Sequence, residues 1–186
     1  MEQQAGHIFV RTVAETVFVR VEGRATHLQA APFQTFARQM INRGHQAFEL
    51  DLGSCNSMDS TFLGVLVGLS MKLEKLGGPK PVVFRAAEST HELFKTLGVE
   101  RFFELEGPHH AEAQAAGEFN ELEGASCKAS DWAPTILGAH QLLCEVDDRN
   151  APRFQDLLEY LKHDAVTSPV RVGPDNEDPK SPLWKQ

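Results

Sequence analysis

Thr16 to Glu22 reads TVFVRVE, and its apolar positions alternate: Val17, Val19 and Val21 share one face, Phe18, Arg20 and Glu22 the other. A period of two is the mark of a half-buried strand. His7 to Arg11 (HIFVR) is a second short apolar run, and Thr12 to Glu15 between them is short enough for a hairpin. The period then changes. Phe33, Phe36, Ala37, Met40 and Ile41 stand at i, i+3, i+4, i+7 and i+8, one face of a helix, with Pro32 in its first turn and Gly44 at its end. Ala47 to Leu52 reads as a strand, Ser60 to Leu76 as a helix closed by Gly77 and Gly78, and Pro81 to Arg85 as a strand. Ser89-Thr90-His91-Glu92 has the spacing of a capping box. Leu93, Phe94 and Leu97 give the helix it opens an apolar face, Gly98 ends it, and Arg101 to Leu105 is a last short strand. The order β-β-α-β-α-β-α-β predicts an α/β fold, a mostly parallel sheet flanked by helices, over residues 7–110.

Behind this block the pattern dissolves. Residues 111–130 read as a linker, with a short helix near His110 to Ala116. Residues 131–164 then predict a C-terminal helical hairpin. Pro134 sits early in its first helix, which carries Ile136, Leu137, His140 and Leu143. Asn150 caps its second helix, with Pro152 in the first turn and Phe154, Leu157, Leu158 and Leu161 as its stripe. Such a hairpin is too small to hold a core alone, so it is expected to pack on the front domain or on a partner. Residues 165–186, with four prolines among charges, read as a disordered tail.

Charge narrows the function classes. The chain of 186 residues carries a formal net charge of −8. Residues 111–186 hold 14 acids against 7 bases, whereas the front is nearly neutral. No basic face is available to neutralise phosphates, which argues against direct nucleic-acid binding. Three cysteines without paired spacing make no disulfide framework. With no signal-peptide pattern and no apolar run near the roughly 20 residues that span a bilayer, the expectation is a soluble cytoplasmic protein without membrane contact.

ELDLGSCNSMDSTFLGVLVG (Glu49 to Gly68), then KLGG, PVVFRAAEST and ELFKTLGVERFFEL, resemble a STAS domain, the family of bacterial anti-sigma factor antagonists and sulfate-transporter tails. Gly23 in VEGRAT fits the family's glycine after the second strand. The resemblance implies a non-enzymatic switch that binds an anti-sigma factor with serine kinase activity, a regulator of transcription that needs no cofactor. It places the phosphoacceptor at Ser60. Partner contacts would fall at Gly23 and Arg24 and, around the hydroxyl, at Asp59, Thr61, Phe62, Leu63 and Gly64, with Phe62 or Leu63 at the rim of the interface. One departure stands out: Phe62 occupies the position where the family usually has glycine, and Gly64 is retained. A bulky residue beside the hydroxyls would hinder a kinase. The alternative is a STAS scaffold or ligand-sensing module that works without phosphorylation. Read without the resemblance, Asp59, Ser60 and Thr61 are ordinary N-cap residues.

Other candidate chemistry is thin. His109-His110 has no further ligand at metal spacing, so no metal site is expected. GGPK lacks the P-loop pattern, and GLSMK lacks the second glycine of a nucleophile elbow. Asp51 ends a strand as a receiver aspartate does, but no acidic pair follows an earlier strand. Cys55 reads as a small loop residue before Asp59.

Overall fold

The computed structural model describes residues 6–106, 118–122 and 129–167. Strands β1 (His7–Val13) and β2 (Thr16–Ala25) form the expected hairpin, turning at Ala14 and Glu15. Helix α1 (His27–Asn42) leads to β3 (Ala47–Met58), and α2 (Ser60–Lys75) to β4 (Val82–Phe84). Helix α3 (Glu88–Thr96) is followed by a 3-10 turn (Glu100–Phe102), β5 (Glu104–Glu106) and β6 (Asn120–Glu121). The sheet order is β5-β4-β3-β2-β1-β6. β2, β3, β4 and β5 run parallel, and β1 pairs antiparallel with both β2 and β6. The predicted order of elements over the front block therefore holds. The two-residue β6 arises inside the stretch read as linker, too short for any periodic signal. The segment His110 to Ala116 and the tail lie outside the described residues, apart from the end of the last helix.

The alternation in β2 does what its period requires: Val17, Val19 and Val21 are buried with Phe48, Leu50 and Leu52 of β3. The helices differ from the expectation at their starts. α1 begins more than a turn before Pro32, because Thr26 caps it: its side chain accepts from Leu28 N, and Gln29 reaches back to the Thr26 N–H. Pro32 therefore sits inside the helix, not in its first turn. The capping box proposed at Ser89 and Glu92 does not form. α3 starts at Glu88 behind Ala87, with no side-chain cap, which puts Ser89 inside the first turn. β3 continues six residues beyond Leu52, so Cys55 is no loop residue: it is buried in the strand opposite Gly23, and burial pushes its thiol pKa up.

α2 is buried from Thr61 through Ser70 without a break. One side lies on the sheet. The other is covered by α4 (Ala129–Val146), the first helix of the C-terminal hairpin, whose Ala139 and Leu143 are fully buried. A 3-10 turn (Asp148–Asn150) joins α4 to α5 (Ala151–Thr167). Asn150 does not cap α5 as expected. It is buried in that turn, and its Nδ2 donates to the carbonyls of Leu97 (3.0 Å) and Leu143 (2.8 Å), tying the hairpin corner to the end of α3. Arg101 reinforces the corner by donating to the Val146 carbonyl.

Candidate functional site

The site lies where β2 and β3 end and α1 and α2 begin. Asp59 organises it. Its N–H donates to the Ala25 carbonyl (2.9 Å), which fixes the residue between the two strands. One carboxylate oxygen accepts from Phe62 N (2.8 Å) and the other from His27 N (2.9 Å). A single side chain thus caps α2 and satisfies the first N–H of α1. Two helix N-termini, each positive at this end, converge on it.

Ser60 is the first residue of α2 and is half-buried. Its Oγ stands 2.8 Å from His140 Nε2, on α4. His140 Nδ1 is 2.8 Å from the Ile136 carbonyl. A carbonyl only accepts, so Nδ1 carries the hydrogen, Nε2 offers its lone pair, and the Ser60 hydroxyl donates. His140 is 2% exposed, with Phe154 edge-on at 4.6 Å between ring centroids. Burial pushes its pKa below the usual value, opposed by the Ile136 carbonyl and by Asp59. The imidazole is therefore neutral near pH 7, the form in which Nε2 accepts from the Ser60 hydroxyl.

Four contacts lay α4 across the site. Trp132 meets His27 edge-on at 5.4 Å, Thr135 Oγ1 donates to Gln34 Oε1 at 3.4 Å, Ala139 rests on Gly64, and His140 holds Ser60. A Cβ on Gly64 would stand 2.7 Å from Ala139 Cβ and 2.8 Å from its carbonyl oxygen. Gly64 is thus what allows the two helices to approach so closely.

The expected partner residues divide sharply. Asp59 and Ser60 remain partly open and Arg24 is exposed. Gly23 is buried in β2 at φ +71, beside a register shift against β3, and is not at a turn after the strand. Thr61 is 5% exposed, and Phe62 and Leu63 are 0% exposed. The expectation of Phe62 or Leu63 at an interface rim is corrected: Phe62 packs on Phe33 at 5.6 Å, inside the core. With glycine at that position Phe33 would lose this neighbour, so Phe62 is a packing residue. His140 and Trp132 also belong to the site, and no local sequence pattern marks either of them as part of it. The signal was the run Phe62 to Leu69, apolar on every side of α2, which requires a cover on its outer face.

Other candidates separate from this place. Asp51 is buried and paired with Arg85, with Arg20 Nε at 3.5 Å, a structural ion cluster under the sheet. No group of three metal-ligating side chains occurs among the described residues. Among them, too, no helix is long and apolar enough to cross a membrane. A cavity of about 200 Å³ lies between β1, β6 and α1, lined by His7, Leu28, Gln29, Pro32 and Glu121 among others, away from Ser60. It is smaller than the roughly 300–1,000 Å³ usual for small-molecule sites.

A mixed, mostly parallel sheet flanked by helices is the architecture of a STAS domain. Residues 8–106, a little over half of the chain, match the family described as Mlab, STAS domain, and the chain belongs to that family. Helices α4 and α5 lie outside the match. Solved structures agree with the fold. SpoIIAA of Bacillus, an anti-sigma factor antagonist in its unphosphorylated form, is 18% identical; the match covers 57% of this chain and 91% of that one, with a TM-score of 0.52. An anti-sigma factor antagonist from Mycobacterium paratuberculosis is 20% identical, over 59% of this chain and 91% of its own, at 0.50. The Thermotoga maritima protein TM1081 is 18% identical, over 57% and 85%, also at 0.50. No curated protein matches.

Proposed function

We propose that this STAS protein is an anti-sigma factor antagonist that binds an anti-sigma factor with serine kinase activity and is switched by phosphorylation at Ser60. The observation that carries the reading is the place of Ser60: a half-buried residue on the first turn of α2, next to the Asp59 carboxylate that caps the same helix. SpoIIAA and the Mycobacterium paratuberculosis protein, which share this fold, are anti-sigma factor antagonists. Physical chemistry favours the site. A phosphate adds about −1.5 to −2 charges, and the positive ends of the α1 and α2 dipoles, which meet there, tolerate it. Against a docked partner the same charge is desolvated beside Asp59. An unpaired buried charge costs about 2–5 kcal/mol, about 30- to several-thousand-fold in affinity.

The test is to incubate the purified protein with ATP and each kinase-type anti-sigma factor of its own organism, then locate phosphate by mass spectrometry. Phosphate on Ser60, lost in Ser60→Ala while binding persists and weakened binding in Ser60→Asp, is the expected result. Phosphate elsewhere, or none, sinks the switch.

One observation favours a second reading, a STAS scaffold that works without phosphorylation: the Ser60 hydroxyl already donates to His140. In that case partner binding proceeds unchanged when no kinase or ATP is present, and Ser60→Asp binds as the parent does.

A further inference from the structure

The hairpin lies outside the family match, yet α4 touches the site through Trp132, Thr135, Ala139 and His140. Trp132, Thr135, Ala139, His140 and Leu143 fall on one helical face, and that face spans the starts of both α1 and α2. Over Ser60 the seam is made of small and polar groups. Ala139 lies on Gly64, one hydroxyl meets one imidazole, and Thr135 reaches Gln34. The opposite end of α4 is held differently, by Asn150 to Leu97 and Leu143 and by Arg101 to Gly98 and Val146. One end is clamped, and the end over the hydroxyl is latched by few polar bonds.

The latch also conflicts with modification. His140 Nε2 faces Ser60 as an acceptor because Nδ1 is committed to the Ile136 carbonyl. A phosphate ester on Ser60 Oγ removes the hydrogen that makes the bond and forces a bulky group between atoms 2.8 Å apart, with Ala139 leaving no room for α4 to shift inward along Gly64. A docked α4 and a modified or partner-engaged Ser60 exclude one another.

We infer that α4 is a releasable cover, seated in cis on a helix-docking groove at the starts of α1 and α2, and that the partner docks there through a helix of the same pattern, a small residue on Gly64 followed by a hydrogen-bond acceptor for Ser60. The cover competes with the partner and keeps a kinase from Ser60 until it lifts about its clamped corner. This rests on the reading of the Ser60 face as the docking face. What is new is the occupant, and the kind of helix that displaces it.

The probe is a fluorescently labelled synthetic peptide of residues 129–146, titrated into the full-length protein and followed by anisotropy. Ala139→Leu in the full chain pushes α4 off Gly64 while leaving the groove intact. It should capture the peptide at least tenfold more tightly than the parent chain, whose own α4 competes. Adding Gly64→Ala to it should abolish capture, because the new methyl meets the peptide as it meets α4. His140→Ala, a gentler release, guards against a misfolded Ala139→Leu and should raise capture several-fold. If neither variant captures the peptide better than the parent, or if capture ignores Gly64→Ala, the cover is refuted. Ser60→Asp placed on Ala139→Leu separates the two readings. Loss of capture supports a charge-controlled groove, whereas retained capture leaves the cover standing and sinks the phosphate switch.

Discussion

Gly64→Ala in the otherwise unchanged chain tests the α2–α4 contact with a sign that can be worked in advance. The substitution does two opposite things. In α2 it replaces glycine by the best helix former, a gain of about 0.5–1 kcal/mol in any state where α2 is helical. Against α4 it places a methyl 2.7 Å from Ala139 Cβ, 2.8 Å from its carbonyl oxygen and 3.0 Å from its Cα, all rigid helix atoms. Overpacking of this sort costs about 1–3 kcal/mol. When α4 lifts while α2 stays helical, the helix gain is present on both sides and cancels, so the full cost appears as easier opening, about 5- to 150-fold. Global unfolding melts α2 as well, so there the gain offsets part of the cost. Native-state hydrogen exchange reads both. Amides of α4 near Ala139 should speed up by the larger factor, and amides of Val17 to Val21 in β2 by about 2- to 5-fold less. Equal acceleration in α4 and β2 would mean that α4 opens only when the whole domain unfolds. No acceleration in α4 would mean that the close approach at Gly64 is absent in solution. Either result refutes the reasoning.

His140 has its folded-state pKa pushed below the ordinary 6.5 by burial, so unfolded chains bind more protons between the two values. Its contribution to stability is complete above the unfolded value and is lost as pH falls through the folded one. The groups facing it are Ser60 and Asp59 from α2, with Phe154 from α5. Urea melts from pH 7.5 to 5 should show stability falling with pH, and His140→Gln should flatten that slope; an unchanged slope removes His140 as its cause. Phe62→Ala deletes a ring that is 0% exposed against Phe33, and should cost about 3–5 kcal/mol in denaturant melts; a loss under 1 kcal/mol would return Phe62 to the surface role first expected of it. Asp59→Ala strips the acceptor from Phe62 N and His27 N together, and should cost about 1–3 kcal/mol, with exchange rising at the first turns of both α1 and α2; a response in α2 alone would contradict the shared cap.

The sequence carried the front block well because each of its elements has its own periodic signal. The alternation of β2, the stripe of α1 and the apolar run of α2 all describe burial against one sheet. Starts and ends were less legible. Thr26 and Gln29 form a true capping box a turn ahead of Pro32, whereas Ser89 and Glu92 have the same spacing and form none, since the chain enters α3 at Glu88. A capping pattern only marks where the backbone permits an entry. The candidate site was legible at Asp59 and Ser60 through the resemblance. Its other half was not, because the contact of Ser60 with His140 links positions 80 residues apart. Nothing local to His140 announces a long-range partner. Only the all-round apolarity of α2 implies that a second layer must exist.

The sheet is bounded on both sides by very short strands. Among the described residues, β5 at one side is three residues long and carries Glu104, and β6 at the other is two residues long and ends in Glu121, which pairs with His7. Short, negatively charged borders give an incoming chain little backbone to zip onto and meet it with repulsion. Growth of the sheet by strand addition is thereby discouraged at both sides. Among the described residues the helical layer is then the surface that offers recognition through side chains rather than through main-chain pairing.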